Sequence, residues 1–222
     1  MTKVMFAVHG ESSAVRLMKA EFRDALRDAG ASAIQINVDD EAVGPAMRFG
    51  PGAVIRAVVS VWAEDVERVV AAVVEACGDQ DAHAYRVTER VRLDPAPVPD
   101  GTRSDVMAQV AILRKPESMS WDDYLSYWML EHTAIAIRTQ NTSAYVQNIV
   151  EEGLTPTSPV ISAIVEEHFP MVAMHDSHEF YGSGGDEAEL SRRMAELMDS
   201  VAKFGADQGL DLVPTSRYFW SL

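Results

Sequence analysis

Apolar positions alternate along some stretches of this chain and recur every three to four residues along others. The switches between the two rhythms mark out its elements. Residues 3–9, KVMFAVH, predict a short strand. A helix follows, with Val15, Met18, Phe22, Ala25, Leu26 and Ala29 on one stripe, Ser12 or Ser13 placed to cap it, and Gly30 to end it. Residues 31–38 and 53–62 read as two strands around a Gly/Pro-punctuated loop, 40–52. A second amphipathic helix runs from about Glu64 to Cys77, with Val66, Val69, Val70, Val73, Val74 and Cys77 on one face, and Gly78 stops it. The alternating segment 83–93 predicts a fourth strand.

This order, β-α-β-β-α-β, is the ferredoxin-like plan, a four-stranded antiparallel sheet with both helices on one face. Residues 94–105, DPAPVPDGTRSD, have the composition of a linker. The order then returns. Residues 106–114 read as a strand, and Ser120 caps a helix whose stripe is Trp121, Tyr124, Leu125, Trp128, His132 and Ile135. Residues 143–150 and 160–169 predict strands, 186–204 a helix ended by Gly205, and 210–220 the last strand. The expected fold class is therefore α+β, two ferredoxin-like repeats at 1–93 and 106–222 joined by a linker at 94–105. A sheet covered on one side leaves an apolar face to water, at roughly 25 cal/mol per Å². Two antiparallel sheets packed on each other as a pseudo-dimeric α/β barrel remove that cost and enclose a pocket.

Composition changes the picture in one respect. Among 222 residues, 19 Lys and Arg face 34 Asp and Glu, for a net charge of −15. That balance argues against nucleic acid and against an anionic membrane surface as partners. The excess is uneven, with 12 basic and 17 acidic residues in 1–105 against 7 and 17 in 106–222. No apolar run reaches the ~20 residues that span a bilayer, no secretory pattern opens the chain, and Cys77 is the one cysteine. These features point to a cytoplasmic protein with an inert, buried thiol.

The candidate chemistry lies mostly in the second half. His132, at Trp128 + 4, belongs to a buried stripe and reads either as a hydrogen-bonded core histidine or as a general acid/base. In residues 162–169, SAIVEEHF, alternation puts Ile161, Ala163 and Val165 on a helix-facing side. Ser162, Ile164, Glu166 and His168 then point toward the inter-sheet space, where Glu166 beside His168 makes a carboxylate–imidazole pair suited to proton transfer. Residues 171–179 add His175 and His178. With His168 and Glu166 these make a weak alternative metal cluster, lacking any established ligand motif. Gln109, Tyr124, Trp128, Tyr145, Gln147, Tyr218, His83 and Tyr85 are candidate lining residues of an apolar pocket with a few polar fixers. The Gly-rich 181–186, YGSGGD, reads as a flexible loop or lid, since it lacks the Lys-Ser/Thr ending of a phosphate loop.

Residues 112–148 carry an R-K-P turn (Arg114, Lys115, Pro116), a Ser-capped aromatic helix, Tyr127–Trp128 with His132 four residues on, and a Tyr145…Asn148 strand. In these features the chain resembles the EthD-like family of the dimeric α/β-barrel superfamily. The resemblance implies a barrel-like pocket, a small hydrophobic or aromatic ligand, and chemistry without an organic cofactor. The reaction expected is acid/base decarboxylation, dehydration or isomerisation of a small aromatic or polyketide-like carbonyl compound, with His132 or His168 as acid/base and Glu166 orienting it. Two alternatives stay open: an accessory protein holding a hydrophobic metabolite or haem, and a metal-dependent enzyme using residues 166–179. The partners expected are that small ligand and further copies of the chain.

Overall fold

The computed structural model describes residues 1–78 and 82–222. Its elements are β1 (Thr2–His9), α1 (Glu11–Leu17), α2 (Ala20–Asp28), β2 (Ala31–Val38), β3 (Ile55–Ala63), α3 (Val66–Cys77) and β4 (Ala82–Leu93). They continue with β5 (Met107–Leu113), α4 (Trp121–Ser126), α5 (Thr133–Thr139), β6 (Ala144–Gly153), β7 (Ala163–Phe169), α6 (Ser177–Tyr181), α7 (Glu187–Lys203) and β8 (Asp211–Ser221). A π-helical stretch, Tyr127–His132, joins α4 to α5.

The eight strands form one closed antiparallel barrel in the order β1-β3-β2-β8-β5-β7-β6-β4. Strands β1–β4 pair as β4-β1-β3-β2 and strands β5–β8 as β8-β5-β7-β6, the 4-1-3-2 order in each half. Between the halves, the strands meet edge to edge rather than as two stacked sheets. Val38 of β2 lies across from Ser216 of β8, and Thr88 of β4 across from Ile149 of β6. Closure leaves no strand with an unpaired row of N–H and C=O groups.

Alternation along each strand then sorts side chains into a barrel interior and an outer face beneath the helices. Met5, Tyr85, Val87, Val110, Ile112, Ile164 and Val213 fill the interior. Val4, Phe6, Ile34, Ile36, Val59 and Val61 face α1–α3 instead, against Leu17, Phe22, Leu26, Val69 and Val73. On the other half Ala111, Leu113, Tyr145, Ala163 and Val165 face Tyr124, Trp128, Leu197 and Phe204. A smaller group, with Met107, Phe169 and Ala173 at its centre, sits below them under Met171, Met174 and Phe180.

Three local expectations change. The first helix breaks at Met18–Lys19, where Lys19 turns extended. This lets α1 cross the end of α3, with the Arg16 Nε donating to the Ala76 carbonyl at 2.8 Å. Ala14 and Leu17 face inward as a result, and Val15 is left 66% exposed. Ser13 does not cap the helix; its hydroxyl donates to the Cys77 carbonyl. The segment 94–105 lies along β8, with Gly101 N–H donating to the Phe219 carbonyl and Ser104 N–H to that of Arg217. Among the described residues no helix is long and apolar enough to cross a membrane.

Candidate functional site

Glu166 and His168 point into the barrel, two residues apart on β7. The His168 Nε2 meets Glu166 Oε1 at 2.6 Å, and Gln35 Nε2 donates to Glu166 Oε2 at 2.6 Å. Arg217 Nε stands 3.4 Å from the same carboxylate and donates to Gln35 Oε1 at 2.9 Å. Gln35 and Asn37 continue the network to Thr215, and Lys3, ion-paired with Glu89, lies within electrostatic reach of Glu166. Burial by itself would lift the Glu166 carboxyl; His168, Arg217 and Lys3 outweigh it and hold it down at about 2. Both carboxylate oxygens are partnered, and Glu166, His168, Lys3, Gln35 and Arg217 are all buried. This is a closed internal ion network, the kind that fixes a barrel's register.

The outer face of the same strands is arranged differently. Gln109 of β5, Glu167 of β7 and Tyr145 of β6 are cross-strand neighbours, so they form a polar row on the face under the helices. Tyr124 and Trp128, rings stacked at 6.1 Å between centroids, pack in one cluster with Tyr145, and the Met/Phe group lies around Phe169, two residues past Glu167. The π-helical stretch begins one residue before Trp128, and Thr133 closes it by donating to the Trp128 carbonyl at 2.8 Å. Gln147 reaches the same hydroxyl, Nε2 to Oγ1 at 2.8 Å.

Two oxygens here, Gln147 Oε1 and Glu167 Oε1, are cut off from water without a hydrogen-bond partner, while the Tyr124 hydroxyl lies toward Ser162 and the Trp128 indole toward Tyr145. An unmet group of this kind costs about 1–3 kcal/mol, so a carboxyl oxygen left without a partner on this face calls for an explanation beyond packing. Burial pushes the Glu167 carboxyl up to about 8 while the residue keeps partial exposure. Burial, followed by the Glu167 charge, raises the Tyr145 phenol. Glu167 thus offers a carboxyl poised near neutrality beside the protonated Tyr145 phenol.

The expected lining residues therefore divide. Gln109, Tyr145 and Gln147 turn away from the inter-sheet space and join Tyr124 and Trp128 on the helix-facing side, because the sheet's sidedness follows from how the helices dock. Tyr85 does face the interior, its hydroxyl donating to the Pro159 carbonyl at 3.1 Å. His83 meets His9 at one mouth of the barrel. Tyr218 sits on the outer face of β8, lining a groove of about 460 Å³ with Val15, Met18 and Asp40.

His132 lies in neither place. It is wedged between α5 and α7, its Nδ1 3.0 Å from Ser200 Oγ and its ring 4.5 Å from that of Phe204, and burial pushes it down to about 4. This is the arrangement of a core histidine. The 166–179 cluster disperses as well. His168 points into the barrel, His175 is exposed, and His178 engages Ser183 and Glu187. Among the described residues no three His, Cys, Asp or Glu side chains converge. In the Gly-rich loop, Asp186 accepts from Ala188 N–H and Glu189 N–H, so a carboxylate already occupies the N-terminus of α7. Cys77 is buried and its thiol is pushed up to about 11.

Spacing counts Glu167 only among the metal-capable groups beside His168 and gives it no role of its own. The available sign was its parity with Ala163 and Val165, which sets a carboxylate on a helix-facing strand side. Lys3, Gln35 and Arg217 were missed as partners of Glu166 because strand register across the barrel is not written in local pattern.

No family model matches the chain, and no curated protein matches it in sequence. Solved structures do. A protein described as anthrone oxidase-like superposes with a TM-score of 0.54 at 8% identity, covering 99% of this chain and 92% of that one. A "putative monooxygenase" from Lactobacillus acidophilus NCFM gives 0.45 at 9% identity, over 99% and 95%. At these identities the likeness is one of fold. The chain thus shares the fold of that anthrone oxidase-like protein, an α+β fold whose eight antiparallel strands close into one barrel in a single polypeptide.

Proposed function

We propose that this chain is a small-molecule enzyme of acid/base type, working without an organic cofactor on a neutral, flat aromatic ketone, with Glu167 as its base. The observation that carries the proposal is the unpartnered, water-sheltered Oε1 of Glu167 on the helix-facing row with Gln109 and Tyr145. A carboxyl raised to about 8 is a stronger base than an ordinary one and sits close to working pH. Glu167 takes a proton from the carbon activated by the carbonyl, leaving an enolate. The Tyr145 phenol, cross-strand from Glu167 and kept protonated by burial, supplies an O–H to the developing oxyanion. Returning the proton at another carbon completes an isomerisation. The name of the structure with TM-score 0.54 suggests a substrate shape. An anthrone is a flat tricyclic ketone whose CH₂ group is such a carbon acid.

We also read the halves as ferredoxin-like repeats of a pseudo-dimeric barrel, with residues 112–148 EthD-like in kind. The 4-1-3-2 strand order in each half supports that reading.

Deuterium exchange tests the chemistry directly. With anthrone in D₂O, the protein is expected to speed exchange of the CH₂ protons, and Glu167→Gln to lower that rate by about 10²-fold or more. The wild-type rate should rise with pH through about 8, the limb on which Glu167 loses its proton, and the variant should lack that limb. Unchanged exchange in Glu167→Gln, with loss in His168→Gln, would move the base into the barrel interior. Saturable binding with no exchange would leave a binding protein.

A further inference from the structure

At the end of β1 the chain places His9, and at the start of β4 it places His83, both on the lip of the barrel interior. This is the mouth opposite the Lys3 end, and it plays no part in the chemistry proposed at Glu167. A bulge sits here: β3 skips Arg56 opposite the Val8–His9 step. Bulges re-aim side chains at barrel rims. The two imidazoles come edge to face, with centroids 4.9 Å apart, and His9 Nε2 stands 3.3 Å from His83 Nδ1. The His9 Nδ1 is 3.2 Å from the Val54 carbonyl, which accepts only, so Nδ1 carries the proton and Nε2 presents a lone pair toward His83.

We propose that His9 Nε2 and His83 Nδ1 are two ligands of a divalent transition-metal ion, of the zinc, nickel or copper class, with water filling its remaining positions. Three features of the geometry support this. Two nitrogens each about 2.0–2.1 Å from one ion, at ordinary coordination angles, stand about 2.9–3.4 Å apart, which spans the observed separation. The Val54 carbonyl supplies the outer partner that metal-bound histidines use to fix tautomer and ring orientation. Both residues are partly exposed, so an ion and its waters can reach them from the mouth. Imidazole pairs select the zinc, nickel and copper class over hard cations such as magnesium or calcium. The ion would tie β1 to β4 at the end where β1, β3 and β4 run out.

The test uses the full chain, stripped with EDTA and titrated calorimetrically with ZnCl₂ and NiCl₂. One ion per chain is expected. His9→Gln and His83→Gln are each expected to weaken binding by about tenfold or more. The double variant His175→Gln/His178→Gln is expected to leave it unchanged. On wild-type protein, Zn²⁺ is expected to shift the imidazole ¹⁵N resonances of His9 Nε2 and His83 Nδ1, a readout that needs no variant to fold. Absence of saturable binding, binding that survives in both single variants, or shifts confined to other histidines would overturn the site. In each of those cases the pair is a hydrogen bond and nothing more.

Discussion

Glu166 and Glu167 are neighbours in sequence and opposites in environment. A strand turns consecutive side chains to opposite faces, so one carboxyl enters the barrel beside His168 and Arg217 while the other lies under the helices with no hydrogen-bond partner on Oε1. One is held at about 2, the other pushed to about 8. The consequences for stability have opposite signs. Glu166 contributes stability above its ordinary value of 4.5, lost as pH falls toward 2. Glu166→Gln strips the buried Arg217 of its counter-charge and is expected to cost about 3–5 kcal/mol in urea unfolding at pH 7. Glu167 does the reverse. Its folded form holds a proton that the unfolded chain releases above about 4.5, so stability falls as pH rises toward 8. The slope is at most about 1.4 kcal/mol per pH unit, and Glu167→Gln should flatten it. His132, pushed down to about 4, favours the folded state while neutral. Stability is expected to drop as pH falls from 6.5 toward 4, where the unfolded imidazole takes a proton, and His132→Asn should remove that component.

At the scale of elements, the helix from Trp121 to Thr139 does the most to shape the candidate site. Ser120 caps it as its sequence predicts, accepting from Asp123 N–H at 3.1 Å. The π-helical turn between α4 and α5 is absent from any hydrophobic rhythm, yet it seats Trp128 in the cluster with Tyr145 and directs His132 toward α7. Periodicity assumes 3.6 residues per turn throughout, so it assigns His132 to the stripe of Trp128 and cannot see the widened turn. The far end of α7 is fixed by another local device. Gly205 adopts φ +75°, and a Cβ there would stand 2.7 Å from Pro116 Cγ. Gly205→Ala is expected to destabilise the chain by about 1–3 kcal/mol in thermal or urea unfolding, through left-handed strain and displacement of Pro116.

The whole molecule is held together by its two seams. Strands β2 and β8, and β4 and β6, are joined edge to edge, and the Gln35–Glu166–Arg217 network crosses between the halves inside the barrel. Each half alone would expose two unpaired edges and the apolar interior face. Unfolding of the intact chain is therefore expected as one transition, with tryptophan fluorescence and far-UV circular dichroism coincident. Two separated midpoints would show that the halves are independent units.

Much of this was legible from pattern. The strands, helices α3 and α7, the Gly30 and Gly78 stops and the shared face of Glu166, His168 and Ile164 follow from spacing, because local backbone geometry sets which side chains lie together. The common face of Gln109, Tyr145 and Gln147 belongs to the same class of inference. What spacing left open is which face is which. Sidedness depends on where helices dock, register on pairings between residues more than a hundred positions apart, and the partners of a buried charge on both. The amino-acid order by itself determined the elements and the parity of their side chains, which are short-range properties of the backbone. Only the tertiary structure decided that the Glu166–His168 pair is sealed in an ion network, that His132 is a core residue, and that Glu167 is the carboxyl left without a partner. Burial and long-range contact, which set those charges, exist only once the barrel has closed.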